Sequence, residues 1–531
     1  MSSEIEKNLR ETTHRVLSGT FAGITQDSRE VKPGYIFAAL QGTKVDGHDF
    51  IPQALEKGAT GIIAKTGTAL PENYKKRPPW NPSPEVCKRL GIEPYERPPH
   101  EEFGVSWSHY NKDSETPRPK SDMGILLIEA DNPHKEFSKW CGTLYFHQPS
   151  TIAAVTGTNG KTSTAHFTAQ LWQALSHNAA SMGTLGIMKD GKIAASASMT
   201  TPDPVTLHKN LAEMAKEGIT HLCMEASSHG LEQYRIDGVR IGVAGYTNIS
   251  RDHLDYHKDM ESYLAAKLRL FSEVLRKNST VVLNADVPEY ETLEKTCKDA
   301  GHTIISYGQK AETLKLIKSV PNPGGQLLEL SIEGKKHTLK IPIVGGFQVM
   351  NALCALGLVW AEEKDKLDTL LKALENLQPV PGRLQKIEGP KEVYVDYAHT
   401  PDALETVLKA LRPHTAGKLI CLFGCGGDRD PGKRPIMGEI AARLADRMIV
   451  TDDNPRTEKP EPIRAAILNG IGKGKPVQDI GDRREAIQAA IKEMKDGDVL
   501  LVAGKGHETG QIIGNITTPF DDAQEVRNAM T

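Results

Sequence analysis

The chain carries almost no net charge: 65 Lys and Arg against 68 Asp and Glu leave −3 over 531 residues. No excess of either sign marks a nucleic-acid or membrane surface, so neither is an expected partner. Long apolar runs are missing as well, and no window approaches the roughly 20 apolar residues of a membrane-spanning helix. The first stretch, MSSEIEKNLRETTHRVL, carries acids and no apolar centre, unlike a secretory leader or a transit peptide. Cysteine is sparse: seven residues, scattered, without close metal-type pairs, Cys421 and Cys425 being the nearest. That usage argues against a disulfide framework and predicts a reduced, cytoplasmic protein with buried thiols. One hydrophobic core does not serve a chain of this length, and roughly two to four domains are expected.

What is present is most informative in TIAAVTGTNGKTSTAHFTAQLWQAL. An apolar strand leads into Gly157, Thr158, Asn159 and Gly160, and a helix-forming run starts at Lys161, Thr162 and Ser163. Glycines let the chain turn so that successive N–H groups point inward. Lys161 then reaches the β- and γ-phosphates, and the Thr162 hydroxyl holds Mg²⁺ at a helix N-terminus. The loop is a shortened one, because Val155 stands where the longer phosphate-loop pattern has its first glycine. A nucleoside triphosphate is the expected ligand.

Three α/β regions follow from the alternation of strands and helices. The first, 1–147, contains a small α/β pattern interrupted at about 66–122 by a Pro-rich, charged insertion with Trp80 and Trp107, after which MGILLIEA resumes the sheet. In the second, 148–378, the apolar strands TIAAV, HLCMEA, GVAGYTNI, TVVLNAD and TIISYG alternate with helices, predicting a mainly parallel sheet covered on both faces. QPVPGRLQ reads as a linker into the third, 379–531, a Rossmann-like unit with VYVDYA, LICLFG, RMIVTD and DVLLVAG.

Ligands of open α/β sheets sit beyond the carboxyl ends of strands, and polar clusters recur there. Glu225 closes HLCMEA. Thr162, Glu225 and His253 are candidate Mg²⁺ ligands, since phosphoryl transfer needs hard oxygen or imidazole donors. Lys267, in the helical SYLAAKLRLF, is by composition alone a solvated surface lysine. At three further strand ends stand Arg429, Arg456 and Glu508; two guanidinium groups and one carboxylate suit a zwitterion with carboxylates and an ammonium.

Taken together, TGTNGKTS, MEASSHGL, TNISRDHLDYH with AAK downstream, GGFQVMN, PVPGRLQ, VDYAHTPDAL, GCGGDRDPGKRP, DNPR and GKGHE resemble the Mur ligase family, in matching order over nearly all of the chain except the insertion. Within the family the likeness is to the branch that adds the third residue of the peptidoglycan stem peptide. It implies an N-terminal UDP-sugar domain, a central ATPase domain and a C-terminal amino-acid domain in a cytoplasmic monomer. The implied reaction joins an amine to the D-glutamate of UDP-N-acetylmuramoyl-L-alanyl-D-glutamate through an acyl phosphate, with ATP and Mg²⁺. Lys267 falls where the family carries a carbamate, and with Lys161, His253 and Glu225 it makes the implied catalytic and metal set. Asn351 and Asp396 match nucleotide positions, with His399 beside them. Ser28, Thr43, Lys44, Thr200, Thr201, Ser227, Gln233 and Arg235 match UDP-sugar-peptide positions, and Arg429, Asp453, Asn454, Pro455, Arg456, Gly504 and Glu508 match the amino-acid pocket. DNPR implies meso-diaminopimelate, whose distal carboxylate Arg456 can pair, over L-lysine, which has none.

Met199 and Gln348 depart from the pattern, each standing where an asparagine is common. The competing readings are an L-lysine-adding or related amide ligase, such as a folylpolyglutamate synthetase, and an idle scaffold. The DSR and DNPR segments oppose the synthetase. The presence of Lys267, His253 and Arg456, with no visible leader, opposes the scaffold.

Overall fold

In a computed structural model of the chain, the described residues are 20–42, 45–74, 76, 124–195, 199–250, 252–253, 256–322 and 324–531. Thr43, Lys44, Trp80, Trp107 and most of the Pro-rich insertion lie outside the described residues. The chain divides into two compact units, one of Met1–Thr156, Ala197–Gly242 and Arg251–Ser279, the other of Gly157–Ser196, Val243–Ser250 and Thr280–Thr531.

In the first unit β1 (Gly23–Thr25), β2 (Tyr35–Ala38), β3 (Gly61–Lys65) and β4 (Leu126–Ala130) form a parallel sheet in that order, with Ile36 opposite Gly61 and Gly61 opposite Leu126. The resumption of the sheet at MGILLIEA is β4. Alternate residues feed two cores, as the period of two requires: Ile36, Ala38, Ile63 and Ile128 meet Phe137 and Trp140, while Phe37, Ile62 and Ala64 meet Ile51, Ala54 and Leu55. Helix Pro133–Leu144 starts cleanly because Asn132 accepts from Lys135 N (3.0 Å) and Pro133 takes the first turn, where its missing N–H costs nothing. The same unit holds β5 (Thr151–Thr156), paired in parallel with the strand His221–Glu225, here β9.

The second unit contains the antiparallel ribbon β6 (Ala179–Gly183), β7 (Gly186–Lys189) and β8 (Lys192–Ala195). It continues with the parallel run β10 (Val243–Tyr246), β11 (Thr280–Asn284), β12 (Thr303–Gly308) and β13 (Leu314–Asn322). The parallel arrangement stops at β13, where β14 (Gly325–Ile332) and β15 (Lys335–Ile341) fold back as an antiparallel meander.

The third region is a six-stranded sheet in the order β16 (Gln385–Ile387), β17 (Glu392–Asp396), β21 (Val499–Ala503), β18 (Leu419–Phe423), β19 (Arg447–Val450) and β20 (Val477–Asp479), antiparallel only at β16. Tyr394, Cys421, Phe423, Met448 and Leu501 pack on one face, and Val393, Val395, Ile420, Leu422, Leu500 and Val502 on the other. A hairpin, β22 (Gly510–Ile513) and β23 (Ile516–Pro519), follows β21. This topology makes β21, β18 and β19 adjacent, so the loops after them emerge side by side. The six described cysteines are free and buried, as expected.

Candidate functional site

The phosphate loop is gripped by residues that follow β10. Asn248 O accepts from Thr158 N (2.8 Å) and Asn248 Oδ1 from Asn159 N (3.0 Å), while Thr247 Oγ1 (2.6 Å) and Asn248 Nδ2 (3.1 Å) donate to Asn159 O. Ser250 N donates to Thr158 Oγ1 at 3.0 Å. Two positions admit only glycine. A Cβ on Gly157 would lie 1.9 Å from Thr247 Oγ1, and one on Gly160, at φ 86°, would lie 2.2 Å from Asn351 Oδ1. Helix Lys161–Ala174 starts at Gly160 with no side chain capping its first turn. The dipole of such a helix start favours an anion. Lys161 Nζ arches over the loop to Gly157 O and Thr158 O, both at 2.8 Å, next to the half-buried Thr162 and buried Ser163. Asn351 is held by Gln348, whose Oε1 accepts from Asn351 Nδ2 (2.9 Å) and whose Nε2 donates to Arg383 O (3.0 Å). The glutamine that departs from the common asparagine therefore ties Asn351 to the linker segment.

A second cluster centres on Thr201, which is buried in the first unit. Its hydroxyl donates to Glu225 O at 3.1 Å and accepts from Ser227 N (3.1 Å) and Ser227 Oγ (3.0 Å). Ser227 in turn caps helix Ser228–Glu232 through Gly230 N (3.1 Å). Arg235 donates from Nη1 to Thr201 O (2.7 Å) and from Nη2 to Gln233 Oε1 (2.6 Å), and burial lowers its pKa. Its contact to Met199 Sδ, 3.3 Å, places the second departing residue in this cluster, with Thr200 between. Lys267, on helix Met260–Arg269, is not a solvated lysine: only 1% of it is exposed, and Nζ sits 4.2 Å from the centre of the Tyr263 ring. Composition misplaces it because an ammonium is buried only where something specific receives it. The same Tyr263 ring lies 6.1 Å from that of His253, which adopts φ 55° and packs edge-on to His229 at 4.9 Å. Ser28 stands apart in its bonding, donating to Gln53 Oε1 at 2.9 Å.

The third cluster lies at the ends of β21, β18 and β19. Glu508 Oε2 accepts from Asn454 Nδ2 (2.8 Å) and Lys505 Nζ (3.2 Å). Gly504, at φ 117°, leaves room for Asp453, whose Oδ2 would be 2.7 Å from any Cβ there, and a Cβ on Gly427 would meet Pro455 O at 1.9 Å. Arg456, at φ 53°, is stitched to the hairpin by its N–H to Ile512 O (3.0 Å) and its carbonyl from Gly514 N (2.6 Å). Its guanidinium donates to Gly427 O at 2.9 Å, and Arg429 donates to Asp428 O at 3.2 Å. Among the described residues neither arginine makes a close ion pair, although the Asp428 carboxylate lies in the field of both, which helps hold its pKa down. Elsewhere in this region Arg412, Arg434, Arg443, Arg447, Arg464, Arg483 and Arg484 are ion-paired, and Arg383 lies over the Tyr397 ring at 4.9 Å. Asp396 is buried, accepts from Leu384 N (2.5 Å) and Ala398 N (2.8 Å), and has its pKa pushed up to about 6 by that burial. Nearby, burial lowers the pKa of His399 and takes that of His507 down to about 4.

Three family models match the chain: the Mur ligase family catalytic domain over 20–98, the Mur ligase middle domain over 155–359 and the Mur ligase glutamate ligase domain over 382–506. A relative from Caulobacter vibrioides, a UDP-N-acetylmuramoyl-L-alanyl-D-glutamate–2,6-diaminopimelate ligase, is 44% identical over 96% of this chain and 95% of its own length. The chain belongs to the Mur ligase family. Its three-domain α/β fold is the family's: a solved UDP-N-acetylmuramoyl-L-alanyl-D-glutamate–2,6-diaminopimelate ligase superposes with TM-score 0.65 at 33% identity, covering 96% of this chain and 94% of that one. MurF ligase from Thermotoga maritima in complex with ADP shares the fold at TM-score 0.57 and 18% identity, with 97% of each chain covered. Membership makes this Mur ligase an ATP-dependent enzyme that forms amide bonds.

Asn248 stands out in the sequence as the polar close of GVAGYTN, but what it would hold does not. Thr247, Asn248 and Ser250 reach the phosphate loop from about 90 positions away; the only signal was their place at the end of GVAGYTNI. Lys505 was passed over because a lysine in GKGHE looks like one more exposed cation, whereas its side chain is fully buried.

Proposed function

We propose that the chain ligates meso-diaminopimelate to the D-glutamate side-chain carboxylate of UDP-N-acetylmuramoyl-L-alanyl-D-glutamate in peptidoglycan synthesis, at the expense of ATP. The observation that carries the substrate choice is the pair of guanidinium groups, Arg429 and Arg456, that donate to backbone carbonyls and make no close ion pair among the described residues, in the strand-end cluster that also holds Glu508. Diaminopimelate offers a distal carboxylate to Arg456 and an ammonium to Glu508; lysine would leave the guanidinium unpaired.

A carboxylate is a poor electrophile until one oxygen becomes a phosphate leaving group. The γ-phosphoryl group of ATP supplies that activation, giving an acyl phosphate that the amine attacks; phosphate leaves from the tetrahedral intermediate. The loop 157–160 and the helix start after it, with Lys161, fit the triphosphate, since the cradle is shaped by glycines that a Cβ would fill. Asn351 and Asp396 serve the nucleotide. Thr162 is assigned as a hydroxyl ligand for Mg²⁺ at the loop; Glu225, His253 and Lys267, the last as a carbamate, are assigned as metal donors in the other unit. Carbamylation fits a buried lysine in that role, because it turns a cation that repels Mg²⁺ into an anion that attracts it. Thr200, Thr201, Ser227, Gln233 and Arg235, with Ser28, Thr43 and Lys44, are assigned to the UDP-sugar peptide. The division at 1–147, 148–378 and 379–531, a monomeric state and a cytoplasmic location complete the reading.

The test is phosphate release with the carboxylate of the UDP-dipeptide labelled with ¹⁸O. Label appearing in phosphate only when UDP-dipeptide, ATP and diaminopimelate are all present is the expected result. Release without label transfer, or without need of the amine, contradicts the reading.

A further inference from the structure

We infer that Lys505 is a positioning residue for the amino-acid substrate: its buried ammonium orients Asn454 and Glu508 so that one Glu508 oxygen faces the ligand's second ammonium group. This rests on the amino-acid pocket proposed above.

The last region buries two cations whose side chains are completely shielded, Arg483 and Lys505. Arg483 has a dedicated counter-ion. Its Nε and Nη2 donate to the two oxygens of Asp522, both at 2.7 Å, and Nη2 also donates to Ala503 O at 3.0 Å. Lys505 has no such private partner. Its Nζ donates to Asn454 Oδ1 (3.1 Å) and Glu508 Oε2 (3.2 Å), with Asp453 Oδ1 at 3.8 Å. All three belong to the pocket. A desolvated ammonium is costly unless paired, so this one persists because it offsets the two carboxylates beside it.

Its geometric effect follows from hydrogen-bond polarity. Asn454 Oδ1 accepts from both Lys505 Nζ and Ile512 N (2.9 Å), which fixes the amide so that Nδ2 must point away, to Glu508 Oε2 at 2.8 Å. Glu508 Oε2 thereby receives two donors. Oε1 receives none among the described residues, and the side chain is 33% exposed, so this oxygen is the one offered to a ligand. An ammonium complements it. Removing the Lys505 charge leaves Asn454 Oδ1 held by Ile512 N alone and takes one of the two donors from Glu508 Oε2, so Glu508 is held less firmly, while the arginines that take the substrate's carboxylate keep their own backbone anchors.

The experiment compares diaminopimelate with 2-aminopimelate, which keeps the attacking amine and the distal carboxylate but lacks the second ammonium. Both are assayed by phosphate release with ATP and the UDP-dipeptide, in wild type, Lys505→Met and Lys505→Gln. Wild type is expected to favour diaminopimelate in kcat/KM by about 10- to 100-fold, the scale of one charge-assisted hydrogen bond. In either variant the preference falls to about threefold or less. That loss lies in the KM for diaminopimelate, and kcat/KM for 2-aminopimelate stays within about threefold of wild type. Glutamine preserves a buried polar group should methionine prevent folding, and thermal melting identifies the folded variant. An unchanged preference, or an equal loss for both amines, overturns the inference while leaving the pocket intact. Wild type that does not use diaminopimelate overturns the pocket reading and this inference with it.

Discussion

On the function proposed, the glycine loop at 157–160 and the cluster at the ends of β21, β18 and β19 would recognise their ligands by opposite means. Around Gly157 and Gly160 the recognition elements would be main chain, one helix terminus and the single cation Lys161, with Thr247 fixing the loop's path. At the ends of β21, β18 and β19 they would be charged side chains, Arg429 and Arg456 for carboxylates and Glu508 for an ammonium, and the glycines between them give space. A phosphate common to every ATP enzyme is served by main chain; an amino acid that must be told from its analogues is served by residues whose charge can be exchanged. The two regions should therefore break differently.

The largest effect is expected from Gly160→Ala. Its methyl would meet Asn351 Oδ1 at 2.2 Å on a backbone at φ 86°, so the loop must shift. Turnover should fall by about 100-fold or more, on the scale of losing preorganised donors to the transferring group. The double variant Gly160→Ala with Asn351→Ala should recover part of this, which steady-state kinetics in ATP will show. Recovery to wild-type rates would mean that the backbone conformation is unimportant.

Arg456→Lys tests the other half. It keeps the charge but loses the planar fork, so kcat/KM for diaminopimelate should fall by about 10- to 100-fold. The KM for ATP should move by no more than about twofold. An equal rise in the ATP KM would erase the distinction between the regions.

Buried histidines provide a third contrast, read in stability. Burial lowers the pKa of His166, on the phosphate-loop helix, and of His507, in the pocket, each to about 4, and that of His208 to about 3. In the unfolded chain these groups take up protons below about pH 6.5, whereas the fold keeps them neutral to about pH 4. Stability from them is thus complete above pH 6.5 and lost as pH falls toward 4. Asp396 acts in the opposite sense: held near 6, its contribution is complete below the ordinary carboxylate value and declines as pH rises through 6. Urea melts should show a net loss on acidification, and His166→Phe should flatten the slope by about 1.4 kcal/mol per pH unit between pH 4.5 and 6. An unchanged slope would contradict a neutral buried His166.

The smallest effect is local. Thr400 accepts from Ala403 N (3.3 Å) ahead of Pro401 and starts helix Pro401–Leu411, so Thr400→Ala should cost about 1 kcal/mol in denaturant melts. Substrate preference should not change.

Much of this was legible because function here is written in strand ends. Apolar runs such as LICLF and DVLLVA announce buried parallel strands, and the residues after them fall where such sheets bind ligands, so Arg429, Arg456 and Glu508 could be grouped before their adjacency was seen. That Arg429 and Glu508 stand on neighbouring strand ends was legible too, and β18 does lie beside β21; what was not legible is that β21 enters between β17 and β18. The antiparallel β13–β15 was also missed within the mainly parallel reading. Its strands alternate buried and exposed residues, as in LKLIKSV, rather than running apolar, so they lack the signal used for the others. Lys267 fails for a different reason: its burial against Tyr263 is set by tertiary packing that no helical spacing in SYLAAKLRLF reveals.

The most direct measurement mixes equal concentrations of meso-diaminopimelate and L-lysine with ATP and the UDP-dipeptide and weighs the UDP product by mass spectrometry. The account predicts a product carrying diaminopimelate alone, because only that amine gives Arg456 a carboxylate. A lysine adduct in comparable amount would contradict it.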